Sequence, residues 1–381
     1  MSDHIIPTYV RWPVTFVEGR GCTLTDSDGR RYLDLIGGLA VASVGHSHPS
    51  VTAAITQQAS KLIHVSNLYR TEPQEELASR LAGLTAGFQS FFANSGAEAI
   101  ECALKLARRW GGPGRGRVIA AHNGFHGRTL GALTVTGQPA KQKPFLPLLP
   151  GVTHVDYDDV GALEDALEED VAAILLEPIQ GEAGVIVPAD DYLALVRKIC
   201  DETGTLLILD EVQTGVGRTG TWFAHERSGI APDVICLAKG LAAGLPIGVC
   251  MASPEVSAAF QVGDHASTFG GGPVQCAAAL AVLDVVEQEG LLEHAAAMGA
   301  RFADGLRSIF GPESVRGRGL LIGVELGQPV SKELTEAALK QGVLVNNPTP
   351  SVLRLAPPLV ITPAEVDNGL TLIERSWKEV A

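Results

Sequence analysis

The chain has 381 residues and a mass of 39.9 kDa, which at about 150 residues per domain allows two or three folded units. Hydrophobic residues make up 46% and charged residues 19%, a balance that supplies a large core and excludes a disordered chain. Lys and Arg number 29 against 43 Asp and Glu, a formal net charge of −14, which argues against a nucleic-acid protein because phosphate backbones are bound mainly by Lys and Arg.

In chain order, the start (Met1 to Pro7) has no basic stretch leading into an apolar one, so no export signal is expected. The best apolar run, 240–252, has about 13 residues and contains Pro246, short of the ~18 that a membrane span requires. Residues 1–55 show a strand-turn-strand pattern around Asp26-Ser27-Asp28-Gly29-Arg30, followed by Tyr32-Leu33-Asp34-Leu35. From 56 to 265, short apolar runs at 90–93, 117–121, 172–176, 206–209, 234–237 and 247–252 alternate with amphipathic stretches such as 97–110 and 192–203. Continuous apolar strands between helices predict an α/β fold with a largely parallel sheet covered on both faces. Beyond about 275 come an Ala-rich helix, a second α/β stretch at 317–326 and the segment 352–358. The expected organisation is a large central domain over 56–265, with a smaller α/β domain built from 1–55 and 266–381. Cysteines 22, 102, 200, 236, 250 and 276 are scattered without a Cys-x-x-Cys pair, the pattern of reduced core thiols in a cytoplasmic protein.

Several motifs compete. Gly215-Val216-Gly217-Arg218-Thr219-Gly220 matches the dinucleotide fingerprint, but Thr221-Trp222-Phe223 follows where a helix should open, so the match is a decoy. His122 and His126 stand at zinc-ligand spacing, yet Asn123-Gly124 between them forms a turn, and with His46 and His48 they read as loop histidines making hydrogen bonds. Asn94-Ser95-Gly96-Ala97-Glu98 joins a buried strand to a helix, where free N–H groups, the positive end of the helix dipole and the Ser95 hydroxyl form an anion cup. Asp210 ends an apolar strand, where open α/β sheets present ligand groups. Lys239 ends the next strand in apolar surroundings; its spacing leaves open a snorkelling side chain or a desolvated amine used as nucleophile. The combination decides: cup, buried acid and strand-end lysine are the three fixtures for pyridoxal phosphate, holding its phosphate, its ring nitrogen and its aldehyde.

These residues sit in ordered blocks that span nearly the whole chain. They include Gly45-His46-Ser47-His48-Pro49, Asn94 to Glu98, Phe125-His126-Gly127-Arg128-Thr129 and Glu177-Pro178-Ile179-Gln180-Gly181-Glu182. Asp210-Glu211-Val212-Gln213, Ala238-Lys239, Ser267-Thr268-Phe269-Gly270-Gly271 and Arg354-Leu355-Ala356-Pro357-Pro358 complete the set. The sequence resembles the class III (ω-amino) aminotransferases of pyridoxal-phosphate fold type I. The resemblance implies that Lys239 forms the Schiff base and carries the proton, and that Asp210 pairs with the pyridine nitrogen. It further implies that Gln213 bonds the 3-oxygen side, Phe125 stacks on the ring, and Ser95, Gly96 and Ala97 bind the phosphate. Thr268 would reach the phosphate of a neighbouring subunit in a homodimer with shared sites. Arg128 would hold a substrate carboxylate with Ser267 nearby, and Arg354 would grip the α-carboxylate of 2-oxoglutarate. Glu182 would neutralise Arg354 while the carboxylate-free end of the amino donor reacts. No metal, membrane or nucleic acid is implied.

Substrate choice rests on fewer residues. Ornithine aminotransferases usually carry a tyrosine between Leu35 and Gly45, where this chain has Leu39 and no phenol. An apolar residue suits an acylated amine, so the resemblance is closest to the acetylornithine branch. N2-acetylornithine is the expected donor and 2-oxoglutarate the acceptor, in a ping-pong reaction through a pyridoxamine form that serves arginine synthesis. Rivals are succinyldiaminopimelate, acetyllysine-type, ornithine and 4-aminobutyrate transamination, or an aminomutase on the same fold. Gly272 and Ala42 stand where the family commonly has Asn.

Overall fold

The computed structural model describes residues 4–380; Met1 to Asp3, part of the start read for an export signal, and Ala381 lie outside the described residues. The centre is a seven-stranded sheet in the order Gln89–Ala93, Gly248–Ala252, Val234–Leu237, Leu206–Asp210, Val171–Leu176, Arg117–Ala121, Val152–Val155. Only Gly248–Ala252 runs antiparallel to its neighbours. The period of two along Val171–Leu176 shows why both faces are covered. Ala173 and Leu175 pack with Ile100, Ala103 and Leu106 of the helix Gly96–Gly111, whereas Ile174 and Leu176 pack with Tyr192, Val196 and Cys200 of the helix Tyr192–Thr203. Each fully buried leucine or isoleucine contributes roughly 1.5–3 kcal/mol. The mostly parallel, two-faced sheet agrees with the α/β expectation.

The edge strand Val152–Val155 was not expected. Its Thr153 and His154 stay half-buried, so it lacks the continuous apolar run that marks the other parallel strands. Two smaller sheets flank the large one. Phe16–Arg20, Thr23–Asp26 and Arg31–Asp34 join Val343–Leu344, so this sheet draws on both ends of the chain. Val315–Arg318, Leu321–Glu325, Val352–Leu355 and Asn346–Thr349 form the other, antiparallel throughout.

The stretch 215–220 is turn and opens no helix. Buried Arg218 instead ties it to the C-terminal sheet: its guanidinium donates to the Leu320 carbonyl (3.1 Å) and the Pro357 carbonyl (2.5 Å), and its own carbonyl accepts from the Leu320 N–H (2.9 Å). These glycines serve a structural staple, in agreement with their reading as a decoy. All six cysteines are buried and free, and no helix among the described residues is long and apolar enough to cross a membrane.

Candidate active site

The carboxyl ends of the parallel strands converge on a cavity of about 330 Å3 lined by Ser95, Gly96, Ala97, Phe125, Asp210, Gln213 and Lys239 among others. Its floor is the cup at the start of Gly96–Gly111. Ser95 is the N-cap, its hydroxyl accepting from the Glu98 N–H (3.2 Å), and the Glu98 carboxylate reaches back to the Asn94 N–H (2.7 Å). This reciprocal pairing fixes the helix start and leaves the first-turn N–H groups of Gly96 and Ala97 aimed outward. The antiparallel strand closes the cup from the side, and a Cβ on Gly248 would overlap the Ser95 carbonyl oxygen. Gly248→Ala is therefore expected to lower stability by roughly 1–3 kcal/mol and to weaken phosphate binding at the cup. Thermal melting with and without added pyridoxal phosphate checks it, and an unchanged melting increment would count against the cup.

Asp210 is buried at the end of its strand. One carboxylate oxygen accepts from the Val212 N–H (3.0 Å), and the other lies 2.7 Å from His126 Nδ1. His126 is thus more than a loop histidine. It is buried, its N–H donates to Thr136 Oγ1 (2.9 Å), and its Nε2 has no hydrogen-bond partner. Glu177, at the end of Val171–Leu176, accepts from the Phe125 N–H (2.9 Å) and the Gly181 N–H (3.2 Å). Burial pushes its carboxyl up to about 7, with Asp210 adding to the rise and His126 and the two N–H groups opposing it.

Lys239 follows Val234–Leu237 in a single turn of 3-10 helix, with φ of 31°. A non-glycine residue held in this left-handed region marks stored strain at a site. Ser43 stabilises the turn by donating to the Gly240 carbonyl (2.6 Å). Burial lowers the affinity of the Lys239 amine for its proton and nearby Arg354 lowers it further, against the pull of Glu182, Asp210 and Glu177. The lowered proton affinity favours the neutral amine, the form that attacks a carbonyl.

Arg354 and Glu182 meet beside this cavity. Arg354 Nη1 lies 2.7 Å from Glu182 Oε1, with the arginine side chain 3% exposed and the glutamate 27%. Nη1 also donates to the Gly181 carbonyl (3.0 Å) and Gln213 Oε1 (3.3 Å), so Gln213 bridges the cavity and the ion pair. A Cβ on Gly181 would collide with the Gln213 amide. Burial alone raises the Glu182 carboxyl, but Arg354 outweighs it, helped by Lys239 and Lys141, and the net shift is downward. Arg128 is exposed at the rim, 5.6 Å from the Phe125 ring centroid, and has no carboxylate partner among the described residues.

Ser267 and Thr268 are not brought into this cavity. They line a separate space of about 770 Å3 with Asn67, Leu68 and Phe91, where Ser267 Oγ accepts from the Gly270 N–H (3.0 Å). The sequence reading assigned no role to His126, Glu177 or Lys141. Glu177 opens the block that ends at Glu182, and His126, set off from His122 by the Asn123-Gly124 turn, reads as a loop histidine. Lys141 Nζ lies 5.6 Å from the Phe125 ring centroid, in a segment with no motif.

These residues fit pyridoxal phosphate. The cup offers unshared N–H groups to a dianion, Asp210 is a buried carboxylate able to pair with a pyridinium, and Lys239 faces the same space. The sequence from residue 6 to 376 matches the family model for class III aminotransferases. Acetylornithine aminotransferase of Corynebacterium efficiens is 49% identical over 377 residues, covering 96% of this chain and 93% of that protein. The crystal structure of ornithine aminotransferase from Toxoplasma gondii superposes with a TM-score of 0.95 at 36% identity, covering 99% of this chain and 93% of the other. A PLP-bound amine transaminase from an uncultivated Pseudomonas species gives 0.93 at 32% identity, covering 100% and 99%. With this cavity, this strand order and these similarities along nearly its full length, the chain belongs to the class III aminotransferase family.

Proposed function

We propose that this chain moves the δ-amino group of N2-acetyl-L-ornithine to 2-oxoglutarate, giving N-acetyl-L-glutamate 5-semialdehyde and L-glutamate. Pyridoxal phosphate is the cofactor. The observation that carries the reading is the Glu182–Arg354 pair beside Lys239, and the name and 49% identity of the Corynebacterium relative support it. A buried guanidinium facing an apolar donor stem would be an unpaired charge, costing several kcal/mol. Glu182 removes that penalty while the donor's δ-carbon reacts. When 2-oxoglutarate follows, its carboxylate can replace Glu182 in a bidentate pair with Arg354.

The bound cofactor supplies an electron sink for a carbanion at the reacting carbon. Gly96 and Ala97, with Ser95, would hold its phosphate; Phe125 would face its ring, Gln213 would bond its 3-oxygen side, and Asp210 would pair with its ring nitrogen. Lys239 Nζ would take the proton from the donor's δ-carbon in the first half-reaction and would deliver a proton to the keto acid's α-carbon in the second. Arg128 holds the donor's α-carboxylate at the rim, and the absence of a carboxylate partner within the described residues supports that role. Leu39 lies beside Ile36, Ala40, Gln213, Asn346 and Arg354, an apolar side chain that offers no phenol to a free α-amino head. The reading includes a homodimer, with Thr268 reaching the partner's phosphate. Exposed Leu68 and Phe269 beside Thr268 support a covered face there. It also includes a cytoplasmic setting, supported by the free thiols.

The test is the visible absorption band of the holoenzyme during two successive additions. N2-acetylornithine should bleach the band and 2-oxoglutarate should restore it; a band that N2-acetylornithine leaves untouched overturns the donor. Within this scheme, Glu182→Ala should slow the N2-acetylornithine half-reaction by roughly ten- to a hundred-fold, since it strands a buried charge, and slow the glutamate half-reaction less. Equal losses in single-turnover kinetics would remove Glu182 from this role.

A further inference from the structure

Arg354 keeps two different kinds of company. Its Nη1 edge faces Glu182, on an irregular loop. Its other edge rests on Asn346: Nε donates to Asn346 Oδ1 at 3.1 Å and Nη2 to the same oxygen at 2.7 Å. Asn346 and Arg354 are direct cross-strand partners in the pairing of Asn346–Thr349 with Val352–Leu355, and their Cβ atoms are held close by the ladder itself. Nη1 is also held by the neutral Gly181 carbonyl and Gln213 Oε1. Glu182 has a longer side chain than Asn346 and a loop backbone in place of a strand, so of these two side chains it is the one free to leave.

We infer that Asn346 is a positioning residue that fixes the Nε–Nη2 edge of Arg354 with a neutral acceptor, so that the guanidinium stays in place with its charge uncompensated when Glu182 departs. The inference rests on the reading of Arg354 as the site of the keto acid's carboxylate. The neutrality of the amide is the essential property. An amide oxygen orients the guanidinium without cancelling its charge, and leaves that charge for an exchangeable carboxylate on the opposite edge. A carboxylate at the same position would form a charge-assisted fork with Nε and Nη2 that cannot swing away, and Arg354 would then be neutralised in both halves of the reaction. No role for Asn346 was visible in the sequence, where it sits in Val345-Asn346-Asn347-Pro348 without a motif.

The experiment uses the full-length holoenzyme and single-turnover kinetics on the cofactor band, run separately with N2-acetylornithine and with 2-oxoglutarate. Asn346→Asp should lower the apparent second-order rate constant for 2-oxoglutarate by about ten-fold or more, while the N2-acetylornithine half-reaction stays within about three-fold. Asn346→Ala should shift the same balance in the same direction, through weaker 2-oxoglutarate binding. A merely structural role would depress both half-reactions together, and equal losses, or no loss, in Asn346→Asp overturn the inference. If Asn346→Asp fails to retain cofactor, Asn346→Ala decides by the same split. Arg354→Met separates the two levels of the argument: if it spares 2-oxoglutarate, the reading of Arg354 fails; if it impairs 2-oxoglutarate while the Asn346 variants show no split, only the role of Asn346 fails.

Discussion

Lys239→Met is expected to leave a folded protein with pyridoxal phosphate held in the cup, and to slow the first half-reaction by about 10³-fold or more. The side chain does two jobs from one position. In the proposed scheme it attaches the cofactor as an amine and, once released, serves as the base for the reacting carbon. Its surroundings suit both, because burial and Arg354 lower its proton affinity. The backbone adds precision: a φ of 31° at Lys239 and the Ser43 bond to the Gly240 carbonyl hold the turn from which the side chain springs. Methionine keeps the apolar length of the stem, so loss of fold would not account for loss of rate. Lys141 is the second amine near the site; burial lowers its proton affinity too, and it lies 5.6 Å from the Phe125 ring centroid. A Lys239→Met enzyme retaining rates within about ten-fold of the parent would move the base to Lys141. Single-turnover rates on Lys239→Met and Lys141→Met, with added small amines to test chemical rescue, distinguish the cases.

What the sequence made legible follows from how each residue announces itself. Asp210 and Lys239 were visible because a charge at the end of an apolar strand violates the local pattern. The cup was visible because small residues at a helix start have a direct reading in backbone donors. The central strands were legible where they are buried on both faces and were missed at Val152–Val155, whose half-buried Thr153 and His154 break the apolar run. Glu177, His126 and Asn346 stayed hidden for a different reason. Glu177 acts on the Phe125 N–H and His126 on Asp210, each distant in sequence, while Asn346 meets Arg354, eight residues on, only across a hairpin. Such pairings exist only once strands are in register, and no spacing along the chain encodes them. Thr268 and Ser267 were legible only through the resemblance, since within one chain they open onto a separate cavity.

Asp210→Asn should slow both half-reactions by about 10²–10³-fold, the scale on which a preorganised electrostatic partner contributes, and should do so without displacing the cofactor's phosphate. The substitution preserves shape. The side-chain oxygen can still accept from the Val212 N–H, as Asp210 Oδ1 does at 3.0 Å. What it removes is the negative charge that, in the proposed scheme, faces the ring nitrogen. Equal loss in the two directions is the signature, because the electron sink is needed whichever substrate carries the carbanion; Glu182 and Asn346 variants should instead separate them. A second reading comes from Glu177, whose carboxyl stands at about 7 through burial, with the Asp210 charge adding to the rise. Removing that charge relieves the repulsion, so the Glu177 carboxyl should titrate at lower pH in Asp210→Asn. Where the ionised form is the one that holds the Phe125 and Gly181 N–H groups, the acid limb of the rate profile should move down with it. A full pH profile of each half-reaction tests both effects in the same protein. A large rate loss with an unmoved acid limb would keep Asp210 at the ring and detach Glu177 from it. A small rate loss would mean that the ring nitrogen needs no anionic partner here, and that the buried Asp210–His126 pair serves only to hold the Phe125-His126 loop in place.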